Sequence, residues 1–200
     1  MKLTFERITM QNDEMFFETV KCDDGISYHL DYHNRRIART IALNINLQEY
    51  ILPINDDFLK CKVIYDRYGI LDVMYEPYLK KEIKTFKIIE DNAIDYKFKS
   101  TNRSAINNLF EQRGNADEII IVKDGYITDT SIANIAIFNG ENWLTTKKPL
   151  LYGTTRERLL DNRELIEKDI TVEMLKKAKK IALLNAMIGM NILEDYSLLI

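Results

Sequence analysis

Four short stretches of this chain carry residue types that can do chemistry. Lys99, in YKFKSTNR (96–103), falls where a predicted strand hands over to a predicted helix. A lysine drawn into such a junction loses part of its preference for the charged form, because desolvation disfavours ammonium, and a neutral amine is a nucleophile that condenses with aldehydes. An exposed lysine at a helix start is the ordinary alternative. Asp129 lies in DGYITDTSIANIAIF (124–138), between a turn and an apolar run, with Asn134 close behind. A carboxylate there needs a cation, several N–H donors or a protonated heterocycle, unless it merely caps the local turn. Gly153-Thr154-Thr155-Arg156 opens a short helix. Free N–H groups, two hydroxyls and the positive end of the helix dipole would suit an anion, and simple capping by Thr would use the same residues. In His33-Asn34-Arg35-Arg36 the two arginines cannot share a helix face. One turned inward would seek a phosphate or carboxylate; both turned outward would make an ordinary charged surface.

An amine for an aldehyde, an acid for a pyridine nitrogen, and an arginine with a helix start for a phosphate together match what pyridoxal 5′-phosphate requires. The elements that would have to position these groups can be read from the pattern. Residues 15–28 predict two short strands about Asp23-Asp24-Gly25. Leu30, Ile37, Ile41 and Leu43 predict one face of a helix, with His33, Arg36 and Thr40 on a neighbouring stripe. Residues 60–68 and 70–76 read as a hairpin split by Gly69, and PYLKKE (77–82) as a linker. Then follow a strand at 84–91 and a helix from STNRSAINNLFEQRG, capped by Ser100 or Thr101 and stopped by Gly114. EIIIVKDG is a short strand, 134–146 a hairpin about Asn139-Gly140, and TTRERLLDN a short helix. TVEMLKKAKK is a further helix capped by Thr171, and KIALLNAMIG a final buried strand. The reading is an α/β (α+β) chain of two domains, 1–78 and 84–200, joined by a linker at about 77–83, with a ligand held between them.

Beyond these residues, the motifs resemble the class IV (fold type IV) pyridoxal-phosphate enzymes. FET (17–19) is similar to that family's early strand, HNRRI (33–37) to its His-x-x-Arg-Leu helix, and KSTNR (99–103) to its Lys-x-x-Asn-Arg segment. DGYITDTSIANIAIF, YGTTRERLL and LLNAMIG (183–189) resemble three later motifs, in the same order. The resemblance implies that Lys99 holds the cofactor and is the catalytic base and acid. It implies that Arg36, Thr154 and Thr155 bind the phosphate, that Asp129 partners the ring nitrogen, and that Asn185 and Ala186 line the pocket. Where the family has Glu, this chain has Asp129, one methylene shorter. Tyr28, His29 and Tyr32 fall near the expected site without an assigned role.

Arg103, four residues past Lys99, is the feature most similar to aminodeoxychorismate lyase, which releases pyruvate and 4-aminobenzoate for folate synthesis. A branched-chain or D-amino-acid aminotransferase is the alternative, and a weakly active or non-catalytic cofactor-binding homologue the second. The family also implies a homodimer and a small-molecule amino substrate.

Bulk properties fit that frame. Of 200 residues, 46% are hydrophobic and 30% charged, with net charge −3, so no basic excess points to nucleic acid. No apolar run reaches membrane-spanning length, and MKLTFERITMQNDE carries charges where a signal peptide needs an apolar core. The two cysteines, Cys22 and Cys61, have no metal-like spacing and read as free thiols of a cytoplasmic protein; no metal site is expected.

Overall fold

Alternation decides the first sheet. In β1 (Phe16–Asp23), Phe16, Glu18, Val20 and Cys22 point inward and the residues between them are half-buried. β2 (Ile26–Ser27), β3 (Leu59–Asp66) and β4 (Gly69–Pro77) complete an antiparallel sheet of order β2-β1-β3-β4. α1 (Leu30–Ile41) sets Leu30 and Ile37 against Val20, Cys61 and Val63 of this sheet. Complete burial of Ile37 alone contributes roughly 2–3 kcal/mol. The helix is shorter than its apolar pattern predicts. Ala42 takes the left-handed conformation (φ 58°) and returns its N–H to the Ala38 carbonyl, which leaves Leu43 outside the helix and exposed.

This computed structural model describes residues 14–53 and 55–199. Residues 1–13 of the predicted first domain, which hold most of the charged stretch weighed against a signal peptide, lie outside the described residues. Among the described residues no helix is long and apolar enough to cross a membrane.

Residues 78–84 run without regular structure to the second sheet. Its nine strands are β5 (Thr85–Glu90), β6 (Glu118–Lys123), β7 (Tyr126–Thr130), β8 (Asn134–Phe138), β9 (Trp143–Thr145), β10 (Ile166–Glu167), β11 (Lys180–Asn185), β12 (Gly189–Leu193) and β13 (Ser197–Leu199). The main path is β10-β9-β8-β7-β6-β5-β13, and β11 joins β8 and carries β12. β6 is buried almost end to end, as its apolar run predicts. α2 (Ser104–Glu111), α3 (Thr154–Asp161) and α4 (Val172–Lys177) accompany this sheet. Thr171 caps α4 as predicted, accepting from Met174 N at 3.2 Å.

Three sequence expectations are corrected here. α2 begins at Ser104, because the backbone of 99–101 is already committed to β1: Phe17 N donates to the Lys99 carbonyl at 2.9 Å and Thr101 N to the Met15 carbonyl at 2.8 Å. Asn102, not Ser100 or Thr101, then accepts from Ser104 N at 3.2 Å. The β8–β9 connection is a four-residue loop. The Asn139 side chain accepts from Glu141 N and Asn142 N, and that replaces a tight two-residue turn. Finally, β11 does not end the fold, since Gly189 (φ 61°) turns the chain back into β12, and β13 then adds in parallel to β5.

Candidate active site

The two sheets face each other across a cavity of about 410 Å³. β1 and β3 contribute Phe17, Thr19 and Lys60, and the second sheet contributes Asp129, Asn134 and Leu184. Lys99 also lines it. Its backbone is stitched to β1, so the lysine belongs in sequence to the second half and in hydrogen bonding to the first. Its Nζ sits 4.5 Å from the centroid of the Phe17 ring. Burial, aided by the charge of Arg36 and opposed by Glu18, brings its pKa down to about 7.

Arg36 is the inward arginine and lines the cavity, while Arg35 is exposed on α1, stacked on Tyr32 and bonded to Glu157 and Asp161 of α3. The inward orientation depends on Glu18, which the sequence places in FET (17–19) without a role of its own. Arg36 Nε donates to Glu18 Oε1 at 2.8 Å and a second guanidinium nitrogen reaches Oε2. His33 Nδ1 approaches the same oxygen at 2.6 Å. Burial alone would raise the Glu18 pKa, but the charge of Arg36 and the bonds from His33 and Arg36 outweigh it and hold it at about 2. A carboxylate only accepts, so His33 carries its proton on Nδ1; burial pushes its own pKa down. The signal was available: Glu18 has the inward parity of β1, and His33 and Arg36 are three residues apart on one helix face.

Asp129, the next-to-last residue of β7, is buried. Asn134, its partner across the β7–β8 register, donates Nδ2 to it at 2.6 Å and also to the Leu151 carbonyl at 2.8 Å. Leu151 N donates to the other Asp129 oxygen at 2.9 Å. Burial raises the Asp129 pKa to about 6 and these bonds only partly offset it. Asp129 is therefore a buried acid with donors on both oxygens and no ion-pair partner within the cavity's described residues.

Gly153 precedes α3 in the N-cap position, supplies no side-chain cap, and accepts Glu157 N at its carbonyl. The first-turn N–H groups therefore remain open, at the positive end of the helix. Gly153 and Thr154 line the cavity, whereas Thr155 is buried beside it without reaching the lining. A Cβ at position 153 would lie 2.0 Å from Asn134 Oδ1, so only glycine lets the helix start approach β8 this closely. Arg156 turns away: it donates to the Thr146 carbonyl at 2.6 Å and to Glu167 at 2.5 Å, fastening α3 to β9 and β10. Asn185 and Ala186 both line the cavity. The Asn185 side chain is occupied in shaping the turn after β11, where it accepts from Met187 N and Ile188 N. Tyr28, His29 and Tyr32 do not belong to the lining. His29 instead takes a left-handed conformation before α1 (φ 58°), and the Tyr28 ring lies under Lys21.

Comparison with known proteins bears on the fold and the family. An uncharacterized protein of Haemophilus influenzae is 33% identical over 185 residues, covering 87% of this chain and 98% of that one. The crystal structure of a provisionally named 4-amino-4-deoxychorismate lyase from Haemophilus somnus superposes with a TM-score of 0.82 at 30% identity, over 90% of this chain and 99% of that one. The PLP-bound form of a hypothetical aminotransferase from Mycobacterium tuberculosis shares the fold at 16% identity, with a TM-score of 0.77 over 98% of this chain and 87% of that one. The family model for amino-transferase class IV matches residues 70–193. With the fold type IV architecture and most of the chain accounted for, this protein belongs to the class IV aminotransferase family.

Proposed function

We propose that the chain is a pyridoxal-5′-phosphate-dependent enzyme, a 4-amino-4-deoxychorismate lyase that yields pyruvate and 4-aminobenzoate. One observation carries the reading: Lys99, Arg36, Asp129 and the open start of α3 line a single cavity. These residues fit the cofactor. Gly153, packed against Asn134, stands at an uncapped helix start whose free N–H groups suit a phosphate, and Arg36 adds a guanidinium that Glu18 keeps aimed inward. Asp129 has the burial and raised pKa of an acid suited to a cationic ring nitrogen. Lys99 is the amine that would carry the cofactor.

Bound there, the cofactor supplies an electron sink for negative charge developing on the substrate. Lys99, with a pKa near 7, is present in both protonation states at neutral pH and can take a proton from the substrate carbon and return it. Asp129, ionised against a cationic neighbour, holds a proton on the nitrogen it faces. The two sheets and the 78–84 connection line the cavity on its sides.

The lyase is favoured over an aminotransferase by the relative from Haemophilus somnus, alike at 30% identity over nearly its whole length, and by Arg103 following Lys99. Purified protein mixed with the cofactor is expected to gain a visible absorption band that Lys99→Ala lacks. With aminodeoxychorismate it should release 4-aminobenzoate and pyruvate in equal amounts. A wild type that stays colourless would sink the cofactor reading; amino-group exchange between glutamate and 2-oxo acids without 4-aminobenzoate would sink the lyase in favour of a branched-chain or D-amino-acid aminotransferase.

A further inference from the structure

Glu118 is a buried carboxylate that the chemistry above leaves unused. It opens β6, is 2% exposed and does not line the cavity. Both of its oxygens reach the turn that follows Asp129. Oε2 accepts from Ser131 Oγ at 2.8 Å, and Oε1 accepts from Ser131 N at 3.2 Å and from Ile119 N at 2.7 Å. On its other side the same serine is held by Arg103, whose Nη2 donates to the Ser131 carbonyl at 2.7 Å. Ser131 is thus gripped between a carboxylate and a guanidinium, and the charge of Arg103 favours the ionised form of Glu118. Arg103 also donates to the Tyr96 hydroxyl at 3.3 Å, and that hydroxyl donates to the Ser100 carbonyl at 2.9 Å. The bonds run without a break from β6, through the Ser131 turn, to the residue that follows Lys99.

The strand that carries Asp129 needs such a hold. The β6–β7 register shifts between Ile120, opposite Thr130, and Val122, opposite Ile127, so β7 uses one residue more than β6 over this stretch. An extra residue bends a strand and re-aims its side chains. Thr128 Oγ1 fastens the start of the irregular stretch by donating to the Ile121 carbonyl at 3.0 Å. Glu118 fastens its far end at Ser131. We propose that Glu118 is a positioning residue, which with Arg103 clamps the Ser131 turn and so fixes where Asp129 stands against the cofactor ring and against Lys99. The inference rests on the cofactor-dependent reading above and adds to it a residue outside the cavity.

The test reads the cofactor's ring nitrogen instead of turnover. Wild type and variants are loaded with cofactor isotopically labelled at that nitrogen, and NMR follows its resonance, which reports whether the nitrogen is protonated. Asp129→Asn gives the position for a ring that has lost its acid partner. Glu118→Ala should move most of the way from the wild-type position to that of Asp129→Asn, because every bond from Glu118 to the turn is gone. Glu118→Gln should stay with the wild type, since its amide can still accept from Ile119 N and Ser131 N and donate to Ser131 Oγ. Ser131→Ala, which removes only the hydroxyl bond, should shift the resonance the same way by less, and decides the matter if Glu118→Ala does not fold. A folded Glu118→Ala that keeps the wild-type resonance, whatever its loss of stability, overturns the proposal. So does Ser131→Ala at the wild-type position in its place, or Glu118→Gln moving as far as Glu118→Ala. A wild type that takes up no cofactor, or whose resonance already matches Asp129→Asn, overturns the reading beneath the proposal and the proposal with it.

Discussion

Asp129 and Glu18 are both buried carboxylates, and their surroundings drive them in opposite directions. Burial of Asp129 outweighs its bonds from Leu151 and Asn134 and the charge of Arg156, so its folded-state pKa rises from 3.8 to about 6. The folded chain then holds a proton that the unfolded chain releases. The stabilisation is complete below 3.8 and is lost as pH rises through about 6, up to about 3 kcal/mol. Glu18 is held at about 2, so its contribution is complete above 4.5 and is lost as pH falls through about 2. For the cofactor-free chain this predicts that the denaturant midpoint of the wild type falls between pH 4 and 6.5 relative to that of Asp129→Asn. Parallel midpoints across that window would show that Asp129 is not a buried, unpaired acid. At this scale the sequence was legible where chemistry is concentrated in short motifs: Lys99, Arg36, Asp129 and Thr154 all reach the cavity. It was silent on what aims them. Glu18 looks like one charge in an alternating strand, and its meaning comes only from a helix packed across from it.

Asp129 and Thr154 stand near the ends of their elements, Arg36 within α1 and Lys99 between elements, and Lys99, Arg36 and Asp129 are each held by a contact from another element. Asn134, the first residue of β8, holds Asp129 and the Leu151 carbonyl with one amide nitrogen, while its oxygen packs against Gly153. Gly153 has an ordinary helix-start backbone (φ −73°, ψ 142°), so alanine there meets no backbone penalty and only the Asn134 contact. Gly153→Ala should therefore cost about 1–3 kcal/mol by crowding, and should weaken cofactor affinity together with it. Unchanged stability in a denaturant titration would mean that β8 and α3 are not locked at this point. Element types followed from periodicity, but several boundaries did not. α2 starts late because residues 99–101 pair with β1, a long-range choice that no local pattern encodes. β12 was missed because Gly-Met-Asn-Ile-Leu shows no clean alternation, and its strand character comes from pairing with β11.

At the level of the whole molecule, the cavity exists only while both sheets are in place. Lys99 is pinned to β1, Arg36 rides on α1, and Asp129 and Thr154 belong to the second half. A ligand held by all four binds the folded chain and not the unfolded one. Cofactor at a hundredfold excess over its Kd should therefore stabilise the whole protein by about 2.7 kcal/mol and raise one cooperative melting transition. Two separate transitions, with only one of them shifted, would contradict a site shared by both sheets. The acidic chain with a cationic cavity adds a second consequence, since salt should weaken the binding of anionic probes more than it weakens folding.

The central claim, that Lys99 is the amine that carries the cofactor, is tested most directly by chemical trapping. Borohydride reduction of the cofactor-loaded wild type fixes the cofactor to whichever amine holds it, and peptide mass spectrometry then locates the added mass. The structure predicts that mass on Lys99 alone, because burial and Arg36 bring this amine to a pKa near 7 inside the cavity. Mass on the exposed neighbour Lys97, on a rim lysine such as Lys80, or on no lysine at all would contradict it.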